Sequence, residues 1–166
     1  MESIIAREGW PSRGVSTLRY FDVLEGYEYQ VEYAFRDGGL YGAGYEANGE
    51  PSETVAFMQR YRRIVEAFKR RYGSPEKEKM RVRKQNTYDK YVAERKAKGQ
   101  TCCDDEDYAE LLLSDAIYFL TYWKTADTEV IVMFLVSKKG GSPVPRHSIQ
   151  FSPVPKRAAG RSAPSN

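Results

Sequence analysis

The chain has 166 residues, of which 41% are hydrophobic and 30% are charged. This balance is typical of a globular protein and excludes an intrinsically disordered chain, while the length predicts a single domain with one continuous core. The net charge of +3 permits an anionic partner without requiring one. Tyrosine dominates the aromatic residues, with 13 copies against 7 Phe and 2 Trp, and this favours strands whose rings are half-buried.

The region from Met1 to Gly14 lacks the apolar core of a targeting signal, and no later apolar stretch reaches the ~20 residues that span a bilayer. We therefore expect no membrane-spanning segment. The sequence as it stands indicates a cytoplasmic protein, whereas a signal peptide upstream of Met1 would direct it to the cell envelope. Residues 3–8 predict the end of a short helix, which Gly9 and Pro11 terminate, and a loop then leads to residue 27.

The clearest strand pattern runs from Tyr27 to Phe35, where aromatic rings and a valine alternate with polar or small residues. Residues 36–39, Arg-Asp-Gly-Gly, suit a tight turn, and residues 40–46 then predict a second strand that completes an antiparallel hairpin. Gly42 and Gly44 would leave room for another element to lie across this hairpin. We expect the following helix to fill that room.

The residues from Ser52 to Tyr72 show the spacing of an amphipathic helix. Ser52 is the expected N-cap, and Gly73 followed by Pro75 is the expected stop. The apolar residues that recur at intervals of three and four are Phe57, Tyr61, Ile64, Val65, Phe68 and Tyr72. We expect this face to pack on the ring-bearing face of the first hairpin, whose tyrosines are then core residues and not a ligand site.

Residues 76–115 are expected to form a variable, partly exposed insertion. Its first part, residues 76–100, is rich in charge and predicts an exposed, partly helical segment, and the acidic cluster Asp104–Asp107 predicts the start of a short helix that runs to Leu113.

Two apolar runs, Ala116–Lys124 and Glu129–Lys138, predict a second hairpin, and their nearly continuous hydrophobicity indicates central strands. Residues 147–151 predict a last, edge strand, and residues 152–166 predict a disordered tail. The sequence thus predicts an α+β domain over residues 1–151, with a mostly antiparallel sheet of about five strands and one main amphipathic helix on one face.

Several short motifs follow one another along the chain. They are Glu8-Gly9 with Pro11, Asp22-Val23-Leu24 with Gly26-Tyr27, the hairpin with Asp37-Gly38 and Leu40-Tyr41, Tyr72-Gly73 with Pro75, and Trp123 with Thr125 and Asp127-Thr128. In this order the chain resembles a widespread group of uncharacterised small bacterial α+β domain proteins, which are often exported or lipoprotein-like. The resemblance implies a fold and no substrate. The basic stretch of residues 76–100 has no counterpart in that pattern, so it is the expected place for any special function.

The segment from Lys69 to Lys98 holds twelve Lys and Arg against four Asp and Glu, an excess of eight positive charges. Such a surface with interleaved rings neutralises phosphates and stacks bases. The alternative interpretation is a solvated helix face, or one that pairs with the acidic cluster at 104–107. The candidate residues for binding an anion or a partner are Arg70, Arg71, Lys79, Arg81, Arg83, Lys84, Tyr88 and Tyr91.

No residue is predicted to be catalytic, and no metal or cofactor is expected. The one histidine, His147, is predicted to be a surface residue beside prolines, with no nucleophile in a recognisable motif. A disulfide between the neighbours Cys102 and Cys103 would be strained, so we expect no structural crosslink from them, and a redox role ranks low. One histidine without a paired-cysteine motif does not supply a zinc or iron–sulfur site.

Three functions are predicted, in order of preference. The first is a non-enzymatic binding or scaffolding module that presents its sheet or its basic segment to a macromolecule such as an acidic protein surface. The second is a nucleic-acid-associated protein that uses the basic residues 69–98. The third is a small hydrolase or redox protein that uses His147 or Cys102.

Overall fold

The computed structural model describes residues 15–36 and 39–154. The predicted helix at residues 3–8, the turn residues Asp37 and Gly38, and residues 155–166 of the predicted tail lie outside them. The described elements, in chain order, are strands β1 (Val15–Leu24), β2 (Tyr27–Arg36) and β3 (Gly39–Asn48), helix α1 (Thr54–Tyr72), strand β4 (Lys77–Val82), helices α2 (Gln85–Ala97) and α3 (Asp105–Leu113), and strands β5 (Ile117–Lys124), β6 (Thr128–Lys139) and β7 (Ser142–Pro153).

All seven strands form one antiparallel sheet in the order β1-β2-β3-β7-β6-β5-β4. The α+β class is confirmed, whereas the predicted number of strands, about five, and the single main helix are wrong, since the described residues include seven strands and three α-helices. Helix α1 packs mainly over β6 and β7, and α3 packs beside it. None of the helices in the described part of the chain has the length and apolar character needed to cross a bilayer.

The main helix forms where the apolar spacing predicted it. Its buried side includes Phe57, Tyr61, Ile64, Val65 and Phe68, which join Tyr29 and Val31 of β2 in one core. The helix meets β2 at Tyr27, where the guanidinium of Arg60 lies 4.1 Å from the centroid of the tyrosine ring. The predicted contact between the first hairpin and the helix is therefore present at this end of β2.

The start of α1 differs from the prediction, whereas its end agrees with it. The predicted cap, Ser52, lies within a 3₁₀ turn over Pro51–Glu53, and the carboxylate of Glu53 accepts a hydrogen bond from the backbone N–H of Glu50 at 2.9 Å. The capping role therefore belongs to the glutamates and not to Ser52. At the other end Gly73 has a φ of +80°, a conformation that suits glycine, and ends the helix as predicted.

Both edge strands of the sheet differ from the prediction. Strand β1 forms where the sequence predicts a loop. The sequence predicts a loop there because these residues do not alternate cleanly between apolar and polar side chains. Strand β4 lies within the segment predicted as an exposed, partly helical insertion, yet it pairs with β5 over its full length. Met80 and Val82 pack against the core while Lys77, Lys79 and Arg81 are exposed, so a charged run still makes an edge strand.

Strand β7, predicted as a short edge strand, is instead the central strand of the sheet, between β3 and β6. Prolines favour an edge assignment because proline cannot donate to a ladder. In the structure, β3 pairs with β7 only from Arg146 to Phe151, so Pro143 and Pro145 lie where β7 has a single ladder neighbour. The prolines are therefore compatible with a central position.

The glycines of β3 face away from the main helix. The register sets Ala43 opposite Tyr33 and Tyr45 opposite Val31, which places Ala43 and Tyr45 on the helix-covered face and Gly42 and Gly44 on the other face. The expectation that α1 fills the room left by these glycines is therefore wrong. Instead, they border a depression of about 310 Å³ on the uncovered side of the sheet.

Replacing Gly49 with Ala is expected to lower the free energy of unfolding by about 1–3 kcal/mol. A Cβ atom at this position would overlap the ring of Phe57, which is buried and packs 5.1 Å from the His147 ring, between centroids. Urea denaturation followed by circular dichroism measures the loss. The control is Gly44→Ala, whose Cβ would lie 3.9 Å from the nearest atom and should change stability by less than about 0.5 kcal/mol. Equal midpoints for both variants would contradict this packing.

Candidate functional site

One face of the sheet is covered by helices and the other is not. In each strand alternate residues point to opposite faces, and Val132, Phe134 and His147 lie on the face that packs against α1 and α3. We call the opposite face the open face. No helix of the described residues packs on it.

The half of the open face formed by β5 and β6 is apolar. Both strands also bury apolar residues on the helix-covered side, and strands that are apolar on both sides are typical of sheets covered on both sides. We call this surface the apolar patch. Its partly exposed side chains are Tyr118, Leu120, Tyr122, Ile131, Met133 and Leu135.

Three cations border the apolar patch along β4. The register sets Lys77 opposite Tyr122, Lys79 opposite Leu120, and Arg81 opposite Tyr118, so all three basic residues lie on the open face. We call Lys77, Lys79 and Arg81 the basic stripe. Alternate residues of a strand are about 6.7 Å apart, which gives a regular row of charge. Within the described residues, no carboxylate lies within ion-pair distance of these three side chains.

Three acidic residues of the open face have ion-pair partners, and a fourth, Glu28, lies on β2, at the other side of the sheet from β4. Glu32 pairs with Arg19 at 2.5 Å, Glu46 pairs with Arg146, and Glu129 pairs with Lys124 at 3.6 Å. These surface pairs contribute little to stability, but they compensate the negative charge on this face. The basic stripe is therefore the uncompensated charge beside the apolar patch.

Most other basic residues of the 69–98 segment pair within the fold. Arg83 and Lys84 contact Asp115 at 2.7 and 3.2 Å. Burial alone would raise the pKa of Asp115, but the two cations together hold it below its usual range. The count of charges in the sequence therefore suggests more unpaired positive charge in this segment than the fold leaves, because carboxylates such as Asp115 lie outside the segment.

Helix α2 is tied to α3 by a buried carboxylate. Asp107 accepts a hydrogen bond from the Tyr91 hydroxyl at 2.8 Å, pairs with Arg95, and receives the backbone N–H of Asp104. Burial and the neighbouring carboxylates raise the pKa of Tyr91 to about 12. Pairing between the basic segment and the acidic cluster, one of the two interpretations of the sequence, is thus present at Arg95 and Asp107.

The predicted site residues do not form one surface. Lys79 and Arg81 belong to the basic stripe, whereas Tyr91 bonds to α3 and Tyr88 packs at the border of the core. Arg70 is exposed in the last turn of α1, Arg71 lines a separate cleft at the end of that helix, and Arg83 and Lys84 contact Asp115. The rings that lie beside the stripe are instead Tyr118 and Tyr122, with the Lys77 ammonium 5.7 Å from the Tyr122 centroid. Their alternation in β5 was the signal that could have identified them.

His147 is a core residue, so its predicted surface position is wrong. Its side chain is 1% exposed, its Nδ1 lies 3.3 Å from the Tyr29 hydroxyl, and the ring of Phe134 lies 4.8 Å away between centroids. Burial, together with the positive charge of Arg60, lowers the pKa of His147 to about 3. The imidazole is therefore neutral near pH 7, and its Nδ1 shares a hydrogen bond with the hydroxyl of Tyr29.

The two cysteines form a disulfide with each other. This bond joins neighbouring residues, so it crosslinks no two elements of the fold. Their sulfur atoms and a carboxylate oxygen of Asp107 lie within 4.8 Å of one another. Disulfide sulfurs are not thiolate ligands, and Asp107 is already engaged by Tyr91 and Arg95, so this group is not arranged as a metal site.

Comparison of the chain with protein-family models, with curated proteins and with solved structures finds no match. The fold defines an α+β protein with a seven-stranded antiparallel sheet and helices on one face. The resemblance to small bacterial α+β domains stays a prediction.

Proposed function

We propose that this protein is a non-enzymatic binding module, and that the apolar patch with its basic stripe is the surface that binds a macromolecular partner. The observation that carries this proposal is the composition of β5 and β6, which are apolar on both sides while helices cover only one. A contiguous, partly exposed apolar surface with a charged border is typical of an interaction site.

The chemistry of the surface favours a protein partner. Leu120, Ile131 and Met133 are aliphatic or thioether side chains that pack well against apolar protein side chains, whereas nucleic-acid bases stack on rings. The basic stripe would meet carboxylates at the edge of the partner. The complementary surface is therefore an apolar element with an acidic border, such as an amphipathic helix.

A single-stranded nucleic acid is the second candidate. The regular spacing of the basic stripe and the nearby rings of Tyr118 and Tyr122 favour it, since cations beside aromatic rings bind phosphates and stack bases. A hydrolytic or redox role is the third candidate, and its hydrolytic form has the least support, because His147 is buried and neutral.

Reversal of the basic stripe should abolish most binding of an acidic partner. The variant carries Lys77→Glu, Lys79→Glu and Arg81→Glu, and the probe is a fluorescent amphipathic peptide of about 18 residues with Leu on one face and Glu at its border. We expect the wild-type protein to bind this peptide and the variant to bind it at least about tenfold more weakly. Fluorescence anisotropy at low salt measures both.

The matched control reverses three exposed lysines of α2 and its end, Lys90, Lys96 and Lys98, with the same change in net charge. Its affinity should stay within about twofold of the wild type. A second variant, Leu120→Asp, tests the apolar patch without touching the stripe and should also lose the peptide. If both reversals weaken binding equally, net charge and not this surface drives it, which overturns the proposal.

Oligothymidylate is the competing probe. Binding of this oligonucleotide but not of the peptide, with a logarithmic salt dependence of about −2 for three phosphate contacts, would overturn the protein-partner proposal in favour of the second candidate. Binding of neither probe would count against both.

A further inference from the structure

A cleft of about 430 Å³ lies on the helix-covered side of the sheet, beyond the end of α1. Its volume is in the range of small-molecule sites. The cleft is separate from the apolar patch, which is on the open face, so a ligand here would be independent of the proposed function. The residues that define it are Tyr33, Tyr45, Phe68, Arg71, Tyr72 and Phe151.

The walls of the cleft are aromatic and come from four different elements. The rings of Tyr45 and Phe151 meet edge to face with centroids 5.9 Å apart, and the ring of Phe68 lies 6.0 Å from that of Phe151. On the side of α1, Phe68 and Tyr72 also meet edge to face at 5.6 Å. Rings that contact one another in this way hold each other in place and give the cleft a rigid apolar lining, here called the slot, which suits an aromatic ligand.

One cation faces this slot. Arg71 lines the cleft, with its guanidinium carbon 5.4 Å from the centroid of the Tyr72 ring. Among the described residues, none that lines the cleft is Asp or Glu, and Arg71 has no carboxylate within ion-pair distance. An exposed guanidinium without a carboxylate beside an apolar slot is an available partner for an anionic group.

Tyr45, which lines the cleft, keeps its hydroxyl neutral. Burial, the neighbouring Tyr33 and the negative charge of Asp22 raise the pKa of Tyr45 to about 12, and the positive charge of Arg71 acts against this rise. The tyrosine is therefore protonated near pH 7. The guanidinium of Arg71 is therefore the charged donor that lines the cleft.

We infer that this cleft binds a small planar aromatic carboxylate, with the ring system against the aromatic walls and the carboxylate at Arg71. The apolar walls contribute affinity for any flat ligand of this size. Arg71 supplies the discrimination in favour of the anion.

The test uses 2-naphthoate as the probe and 2-naphthylmethanol as its neutral analogue, with isothermal titration calorimetry on the whole chain. The wild-type protein should bind the carboxylate about tenfold more tightly than the alcohol. Arg71→Gln should remove this preference and leave the affinity for the alcohol unchanged. The neighbouring Arg70→Gln, an exposed residue that does not line the cleft, is the matched control and should keep the preference.

A second variant tests the position of the ligand. Ala43→Leu adds volume at a residue that lines the cleft and should abolish binding of both probes, while thermal unfolding shows whether the variant is folded. Naphthoate binding that survives both Arg71→Gln and Ala43→Leu would overturn the inference, as would no detectable binding at millimolar concentration. Loss of binding in the basic-stripe variant, with the cleft variants unaffected, would place the probe on the open face and overturn it as well.

Discussion

Replacing Trp123 with Ala should lower the free energy of unfolding by about 3–5 kcal/mol. Trp123 is 1% exposed on the helix-covered side of β5, and its ring meets that of Phe68 edge to face at 5.8 Å. Its indole Nε1–H donates to the carbonyl of Gly73 at 2.9 Å and so joins the end of α1 to the sheet. Since small domains are stable by only about 5–15 kcal/mol, this loss should be visible as a large shift in the urea midpoint.

Two further variants separate the causes of this loss. Trp123→Phe retains a ring but not the Nε1–H donor, and should cost about 1–2 kcal/mol. Tyr122→Ala changes the neighbouring residue of the strand, which lies on the open face, and should cost less than about 1 kcal/mol. If Tyr122→Ala were as destabilising as Trp123→Ala, the assignment of the two faces of β5 would be wrong, and with it the proposed binding surface.

Elements whose pattern is local could be predicted from the sequence. The alternation from Tyr27 to Phe35 and the spacing from Phe57 to Tyr72 each correspond to one periodicity, and both elements are present with nearly the predicted ends. The acidic cluster at 104–107 likewise forms the N-cap and the first turn of α3, where the side chain of Asp104 accepts a hydrogen bond from the backbone N–H of Asp107 at 2.9 Å. In these cases neighbouring residues carry the whole signal.

The order of strands in the sheet depends on contacts between distant residues, and the sequence did not indicate it. His147 comes after two prolines and a glycine-rich turn, which is a local pattern typical of an exposed edge. It is buried because β3 and β6 flank β7 and because α1 covers the face on which the imidazole lies, with Phe57 and Tyr61 against its ring. The charged β4 was missed for a related reason, since its alternation has meaning only once β5 lies beside it.

The candidate site could be predicted only in part. Lys79 and Arg81 were identified from the charge of their segment, but the rings beside them belong to β5, about forty residues later in the chain. Arg83, Lys84 and Arg95 carry the same local signal and yet pair with Asp115 and Asp107. Charge density in the sequence therefore locates a basic region, while the fold decides which of its cations stay uncompensated.

Acidification from pH 7 to pH 5, where most carboxylates are still ionised, should destabilise the protein through His147. The pKa of His147 is about 3 in the folded protein, because burial disfavours the charged imidazole, and 6.5 is the ordinary value that applies to the unfolded chain. The unfolded state therefore binds a proton that the folded state does not. The contribution of this group to stability is complete above pH 6.5 and is lost as the pH falls from 6.5 towards 3.

Each pH unit below 6.5 within that range should lower the free energy of unfolding by about 1.4 kcal/mol. The protein should therefore be about 2 kcal/mol less stable at pH 5 than at pH 7. The comparison is His147→Gln, which should be less stable at pH 7 because it alters the buried contact with Tyr29, but should lack this slope between pH 7 and pH 5.

Proton NMR of the one histidine measures its titration directly. In the folded protein its ring signals should not shift between pH 8 and pH 5, because a ring that stays neutral there has nothing to titrate. A midpoint near 6.5 in the folded protein would mean that the imidazole reaches solvent, and the core around β7 would then have to be packed differently.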